Sequence, residues 1–207
     1  MQARLLAITA GLVFVMCAGV AYAVTVTGTN GSDVLFGSTG DDRIDAKGSF
    51  DIVFGLSGDD VIKGGSGGDN IQADGSCPAG SRDPDACKQA AGSGDDSVQG
   101  NSGDDAIAGG RGDDRISGGS GDDNIQGGSG KDRITGGSGN DTIYGQGGSD
   151  RISAGSGRDT VSGGAGNDRI YVRDSARDRV DCGRGRDTVI VNRGDRVARN
   201  CERVIRR

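Results

Sequence analysis

Residues 109–144 read GGRGDDRIS, GGSGDDNIQ, GGSGKDRIT, GGSGNDTIY, four nine-residue units with no gap between them. Gly stands first, second and fourth in each unit, Asp sixth and Ile eighth. A fixed short period is the signature of a solenoid, in which each repeat stacks on its neighbours and none folds alone. Carried outward, the frame puts the sixth-position Asp at Asp33, Asp42, Asp51, Asp60 and Asp69, then at Asp96, Asp105, Asp114, Asp123, Asp132, Asp141, Asp150, Asp159 and Asp168. After a one-residue slip at Val172 it resumes at Asp178 and Asp187. The eighth position of these units, from Leu35 to Val189, is always Leu, Ile or Val, and the fourth is Gly except at Ser49 and Ala176. Three columns kept in step over this length exclude a chance alignment.

The composition bounds the alternatives. With 42 Gly, 3% aromatic residues and 26% charged residues in 207, the chain has the makeup of a disordered segment. The periodic apolar column and the fixed Gly and Asp positions oppose that reading. Of the 30 acidic residues only Glu202 is Glu. Loops that turn a carboxylate back on their own backbone favour the shorter side chain. Charge is uneven: residues 24–171 carry net −12 and residues 172–207 net +5. An acidic body attracts divalent cations and argues against nucleic acid as a partner.

Residues 1–23 read as a secretory signal peptide, with Arg4 ahead of an apolar run and Ala21-Tyr22-Ala23 as an A-x-A cleavage site. The run is short for a membrane span, so no span is expected after cleavage, and Cys17 lies in the removed segment. Repeats then fill 24–181. The unit 46–54 lacks Gly at positions one, two and four, so a weaker ion site is expected there. Residues 73–90 interrupt the pattern with both prolines, Pro78 and Pro84, and with Cys77 and Cys87, and read as an insertion loop. Residues 182–207 begin as a repeat and then leave the frame, with short strands expected near Val189, Val191, Val197 and Val204, as a basic C-terminal cap. The mature chain keeps four cysteines; Cys77–Cys87 and Cys182–Cys201 are the two local pairs among three possible connectivities.

Within a unit, Gly at positions one, two and four permits positive φ and a tight turn. Positions seven to nine are expected as a three-residue strand with the eighth side chain inward. The expected fold is therefore all-β, a parallel β-roll or β-solenoid with two repeats per coil. Aspartates one coil apart then stack at about 4.8 Å, in one column through Asp96, Asp114, Asp132, Asp150 and Asp168 and another through Asp105, Asp123, Asp141 and Asp159. Stacked carboxylates repel by roughly 1 kcal/mol per pair even in bulk water, so a column calls for cations. Carboxylate and carbonyl oxygens in flexible turns suit Ca²⁺ better than Mg²⁺, and zinc would want His or Cys, which the turns lack.

The GGxGxDxUx units resemble the RTX, or hemolysin-type, calcium-binding repeats over nearly the whole mature chain. The resemblance implies a calcium ion between consecutive turns, held by the sixth-position aspartates and turn carbonyls. Allowing for the irregular units, about eight to twelve ions are expected. The basic two-cysteine ending is similar to that of secreted actinobacterial repeat proteins. The chain departs from RTX toxins in carrying an N-terminal signal rather than a C-terminal export signal. Burying one aliphatic side chain is worth roughly 1.5–3 kcal/mol, while ordering a nine-residue unit costs on the order of 10 kcal/mol. The metal-free chain is thus expected to be largely disordered and to fold on Ca²⁺.

An enzyme is not expected, because the chain has no His and no room for a catalytic domain. An EF-hand would need Glu at its twelfth loop position, and 127–132 lacks the Ser or Thr of a phosphate loop. A secreted structural or interaction module is the first reading, and a cell-surface adhesin or coat component the second. Ice binding needs a Thr or Asn ladder in the turn, and the third and fifth positions do not supply one. Any protein or cell-surface partner is undetermined by the sequence.

Overall fold

A computed structural model of the chain describes residues 23–74 and 93–207 fully and 12–13 by their backbone. The expected signal peptide and the expected Cys77–Cys87 pair fall outside the described residues, apart from the short strand Leu12–Val13 and from Ala23. Among the described residues all regular structure is β: twenty strands form two ten-stranded sheets, and successive strands alternate between them. Every pairing is parallel. This is the β-roll with two repeats per coil that the nine-residue period demands.

The strands are longer than expected. Arg115–Ser120 runs over positions seven, eight, nine, one, two and three of the repeat, and the same six recur in Arg133–Ser138 and Arg151–Ser156. Gly119 and Ser120 still pair with Gly137 and Ser138, so the parallel ladder satisfies main-chain groups that would otherwise turn to solvent. The turn is confined to positions four to six. Positive φ occurs at positions two and four, as at Gly110 (φ 125°) and Gly112 (φ 135°), and not at position one. Lys47, Leu56, Asn101 and Gln146 take the position-two conformation without being Gly, and Ser49 takes that of position four.

The interior is one side chain thick. Leu35, Val53, Ile71, Ile107, Ile125 and Ile143 stack from one sheet, and Ile44, Ile62, Val98, Ile116, Ile134 and Ile152 from the other, all at most 3% exposed. Because position one lies two residues after the inward eighth, it also points inward. It is mostly Gly, but Ala46, Ala73 and Ala154 add buried methyls, and towards the C-terminus the row enlarges to Val172, Cys182 and Val191.

Coils repeat every 18 residues, as in Asn124↔Thr142. Across the insertion the register jumps by 36, Val61 pairing with Ser97 and Asn70 with Ala106. The excursion is therefore a whole number of coils and both sheets keep phase. The strand Asn70–Asp74 includes Ala73 and Asp74, which the sequence reading assigned to the loop. The slip at Val172 lengthens one step to 19 in both sheets, Thr160 pairing with Arg179 and Arg169 with Thr188. Thr188–Val191, Arg196–Val197 and Arg203–Arg206 continue the stack, and Cys182 is bonded to Cys201 with Cα atoms 5.2 Å apart.

Candidate metal-binding columns

The sixteen sixth-position aspartates fall into two columns, one in the turns leading into each sheet, and every one is at most 3% exposed. One contains Asp42, Asp60, Asp96, Asp114, Asp132, Asp150, Asp168 and Asp187. The other contains Asp33, Asp51, Asp69, Asp105, Asp123, Asp141, Asp159 and Asp178. A single contact builds them: the backbone N–H of each Asp donates to Oδ1 of the Asp one coil further on. Asp114 donates to Asp132 at 2.9 Å, Asp132 to Asp150 at 2.9 Å, and Asp123 to Asp141 at 3.0 Å. The ladder crosses the insertion, from Asp60 to Asp96 and from Asp69 to Asp105, both at 2.7 Å. It also crosses the slip, from Asp159 to Asp178 and from Asp168 to Asp187. Asp51, in the degenerate unit, is tied in like the others.

Each carboxylate thus has one oxygen engaged and one left over. Oδ2 is buried without a hydrogen-bond partner on Asp51, Asp60, Asp69 and every sixth-position Asp from Asp96 to Asp187; on Asp33 it is Oδ1. Asp42 is the exception, because Val24 N–H donates to its Oδ1 and Ser38 N–H to its Oδ2. The free oxygens face the position-one glycines. A Cβ added to Gly145 would stand 2.5 Å from Asp150 Oδ2 and 2.5 Å from the Gly163 carbonyl oxygen. On Gly127 it would stand 2.5 Å from Asp132 Oδ2 and 3.0 Å from the Gly145 oxygen. Position one is therefore glycine mainly to leave this oxygen-lined cradle open, rather than to supply φ.

Burial and stacking make these carboxylates poor acids. Burial first, then the charges of Asp74 and the column neighbours, push Asp60 and Asp96 up to about 8, against ordinary values of 3.8 and despite the main-chain bonds that oppose the shift. Asp105, Asp114 and Asp150 rise to about 7 for the same leading reason. Asp51, Asp132, Asp141, Asp159 and Asp178 rise to about 6. A buried carboxylate with a free oxygen must hold either a proton or a cation, and the donor set is all hard oxygen. These residues therefore fit Ca²⁺. Among the described residues no three acidic, His or Cys side chains converge on one point, so any site is assembled from successive coils and main-chain carbonyls.

Three acidic groups escaped the sequence reading. Asp195 accepts from Asp178 N–H at 3.2 Å and Glu202 from Asp187 N–H at 2.8 Å, so each column gains one more carboxylate at the C-terminal end. Both steps are shorter than a coil, 17 and 15 residues, which hid them from a strict nine-residue count. Asp74 occupies position two where the chain leaves for the insertion; its Oδ2 accepts from Arg111 N–H at 3.0 Å, its Oδ1 is unpartnered, and burial raises it to about 6. Counting on from Asp69 would have found it. A second, exposed ladder at position five links Asp59 to Asp41 and Asp95 to Asp59 through N–H to Oδ1 bonds of 3.0 and 2.9 Å.

No curated protein matches this chain. A family model for the RTX calcium-binding nonapeptide repeat matches residues 25–53, 47–75, 90–125, 117–152, 144–175 and 154–189, which together span well over half of the chain. The match follows the same nine-residue period that builds the parallel roll, and the chain belongs to the RTX calcium-binding nonapeptide repeat family.

Proposed function

We propose that this is a secreted calcium-binding repeat protein whose roll folds as the cation binds, with the sixth-position aspartates from Asp33 to Asp187 as ligands. The carrying observation is the orphaned carboxylate oxygen repeated up both columns. When bound, Ca²⁺ supplies the positive charge that two stacked carboxylates lack. The aspartates orient the site by fixing one oxygen to the neighbouring coil's N–H, which leaves the other free in the glycine cradle. Asp195 and Glu202 extend the set by one position in each column, and Asp42, with both oxygens engaged, is the weakest member. The count remains about eight to twelve ions, since Ca²⁺ needs six to eight oxygens from each pair of turns.

Secretion is supported by the n-region, apolar run and A-x-A motif of residues 1–23 and by the Cys182–Cys201 bridge, which suits an oxidising compartment. The module acts as a stiffened rod, without catalysis. Its use as an adhesin or coat component is the second reading, favoured by the length of exposed sheet that each coil adds.

The test is far-UV circular dichroism of residues 24–207, disulfides intact, titrated with Ca²⁺ from a chelator-stripped start and with Mg²⁺ as control. A cooperative coil-to-β transition with Ca²⁺ alone is expected. A full β spectrum before any ion is added would refute the folding switch, and no transition at all would refute calcium binding.

A further inference from the structure

On the outer face of one sheet, position seven is Arg on four adjacent strands. Arg115 pairs with Arg133, Arg133 with Arg151, and Arg151 with Arg169, so four guanidinium side chains share one row at the strand spacing of about 4.8 Å. All four are exposed. Among the described residues the one ion pair is Lys47–Asp45, so none of the four arginines is matched by a carboxylate among those residues. The repeat does not impose the row, because the corresponding run on the other sheet is Ala106, Asn124, Thr142 and Thr160. Hydroxyls of Ser117, Thr135 and Ser153 stand two residues on along the same face. Four like charges stacked without counter-charge are costly, and an external anion of the same repeat removes that cost.

We propose that this row is a binding strip for a linear anionic polysaccharide carrying one carboxylate or sulfate per sugar, laid along the rod axis across the strands. One pyranose ring with its bridging oxygen is about as long as the strand spacing, so successive charges meet successive arginines, which bind such groups in bidentate fashion. The phosphates of one strand of duplex nucleic acid advance about 3.4 Å per residue along the axis and fall out of step with a row of about 4.8 Å spacing. The acidic remainder of the roll does not forbid the contact, because exposed charges beyond about 8 Å are screened at physiological salt. The strip depends on the folded roll and not on which residues hold the cation.

The test uses residues 24–207 in Ca²⁺, with folding checked by circular dichroism so that a failure of calcium-driven folding is seen separately. Binding is measured to chondroitin sulfate (one charge per sugar), hyaluronate (one per two sugars), neutral dextran and duplex DNA. The folded protein should bind chondroitin sulfate more tightly than hyaluronate or DNA, and should not bind dextran. Arg133→Gln with Arg151→Gln should weaken binding at least about tenfold and lower its salt dependence, while Arg193→Gln with Arg199→Gln, which removes the same charge elsewhere, should change it less than about twofold. Equal losses in the two pairs, DNA binding as tight as chondroitin sulfate, or no binding by folded protein would overturn the proposal.

Discussion

The coils between residues 94 and 171 and those between 172 and 207 solve the same stacking problem differently. In the first block position one is nearly always glycine, the core is a single aliphatic row per sheet, and the columns in the turns hold carboxylates raised to about 6 to 8. In the second, the position-one row fills with Val172, Cys182 and Val191, a disulfide ties Cys182 to Cys201, and arginines outnumber acids. On the proposed reading, the first block leaves its interior open for oxygen and is closed by a cation. The second packs more hydrocarbon and sulfur inside, although its Asp178 and Asp187 still carry unpartnered oxygens. On the proposed reading, we expect the C-terminal end to keep more of its structure without ions and to serve as a template on which the preceding coils add.

Stripping calcium breaks this comparison most completely. Amide hydrogens of 94–171 should then exchange freely while part of 172–207 keeps its protection, read by hydrogen exchange with mass spectrometry; uniform loss along the chain would remove the distinction. The next largest effect is that of pH on the metal-free chain. In the unfolded state the aspartates titrate near 3.8, whereas folded Asp60 and Asp96 hold their protons to about 8. The folded state then binds more protons than the unfolded one between about 4 and 8, so its stability is fully present below about 4 and falls as pH rises through that window. Acidifying the chelated protein should restore β signal, with the gain largest in the coils around Asp60 and Asp96.

Cys201→Ser tests the other block. Losing a bridge that closes a loop of this size should cost about 3 kcal/mol and erase the residual protection at the C-terminal end, while calcium-loaded coils near 123–150 are spared. Asp132→Asn removes one ligand charge from the middle of a column. It should shift the calcium midpoint of circular dichroism by roughly tenfold, about 1.4 kcal/mol, yet leave the metal-free chain no less folded. The smallest effect is local. Gln146 holds φ at 72°, where its neighbours in the column are glycine, so Gln146→Gly should raise the calcium-loaded melting midpoint by an amount worth about 1 kcal/mol.

The period, the two columns and the inward eighth residue were legible because each is a one-dimensional count, and a solenoid converts counts directly into stacking. The phase across the insertion was also present in the sequence, since Ser93 and Gly94 resume at positions three and four after Asp74 at position two. The cysteines and prolines drew attention to the loop rather than to its length. What could not be counted was direction. Nothing in the repeat says that Oδ1 is tied to the N–H of the preceding coil, or that position one is glycine to admit Oδ2 rather than to permit positive φ. Those are contacts between residues 18 apart, and they exist only once the coil has closed. Asp195 and Glu202 were missed for a related reason: they join the columns at steps of 17 and 15 residues, which a strict nine-residue count passes over.

Each coil touches only the coils beside it, and this gives the rod a mechanical character. Pulled along its axis, a closed coil contributes about 4.8 Å of length, but peeled open its 18 residues span about 60 Å. A tether built this way would lengthen more than tenfold by releasing one coil at a time, and on the proposed reading the calcium around it would set the force at which the first coil gives.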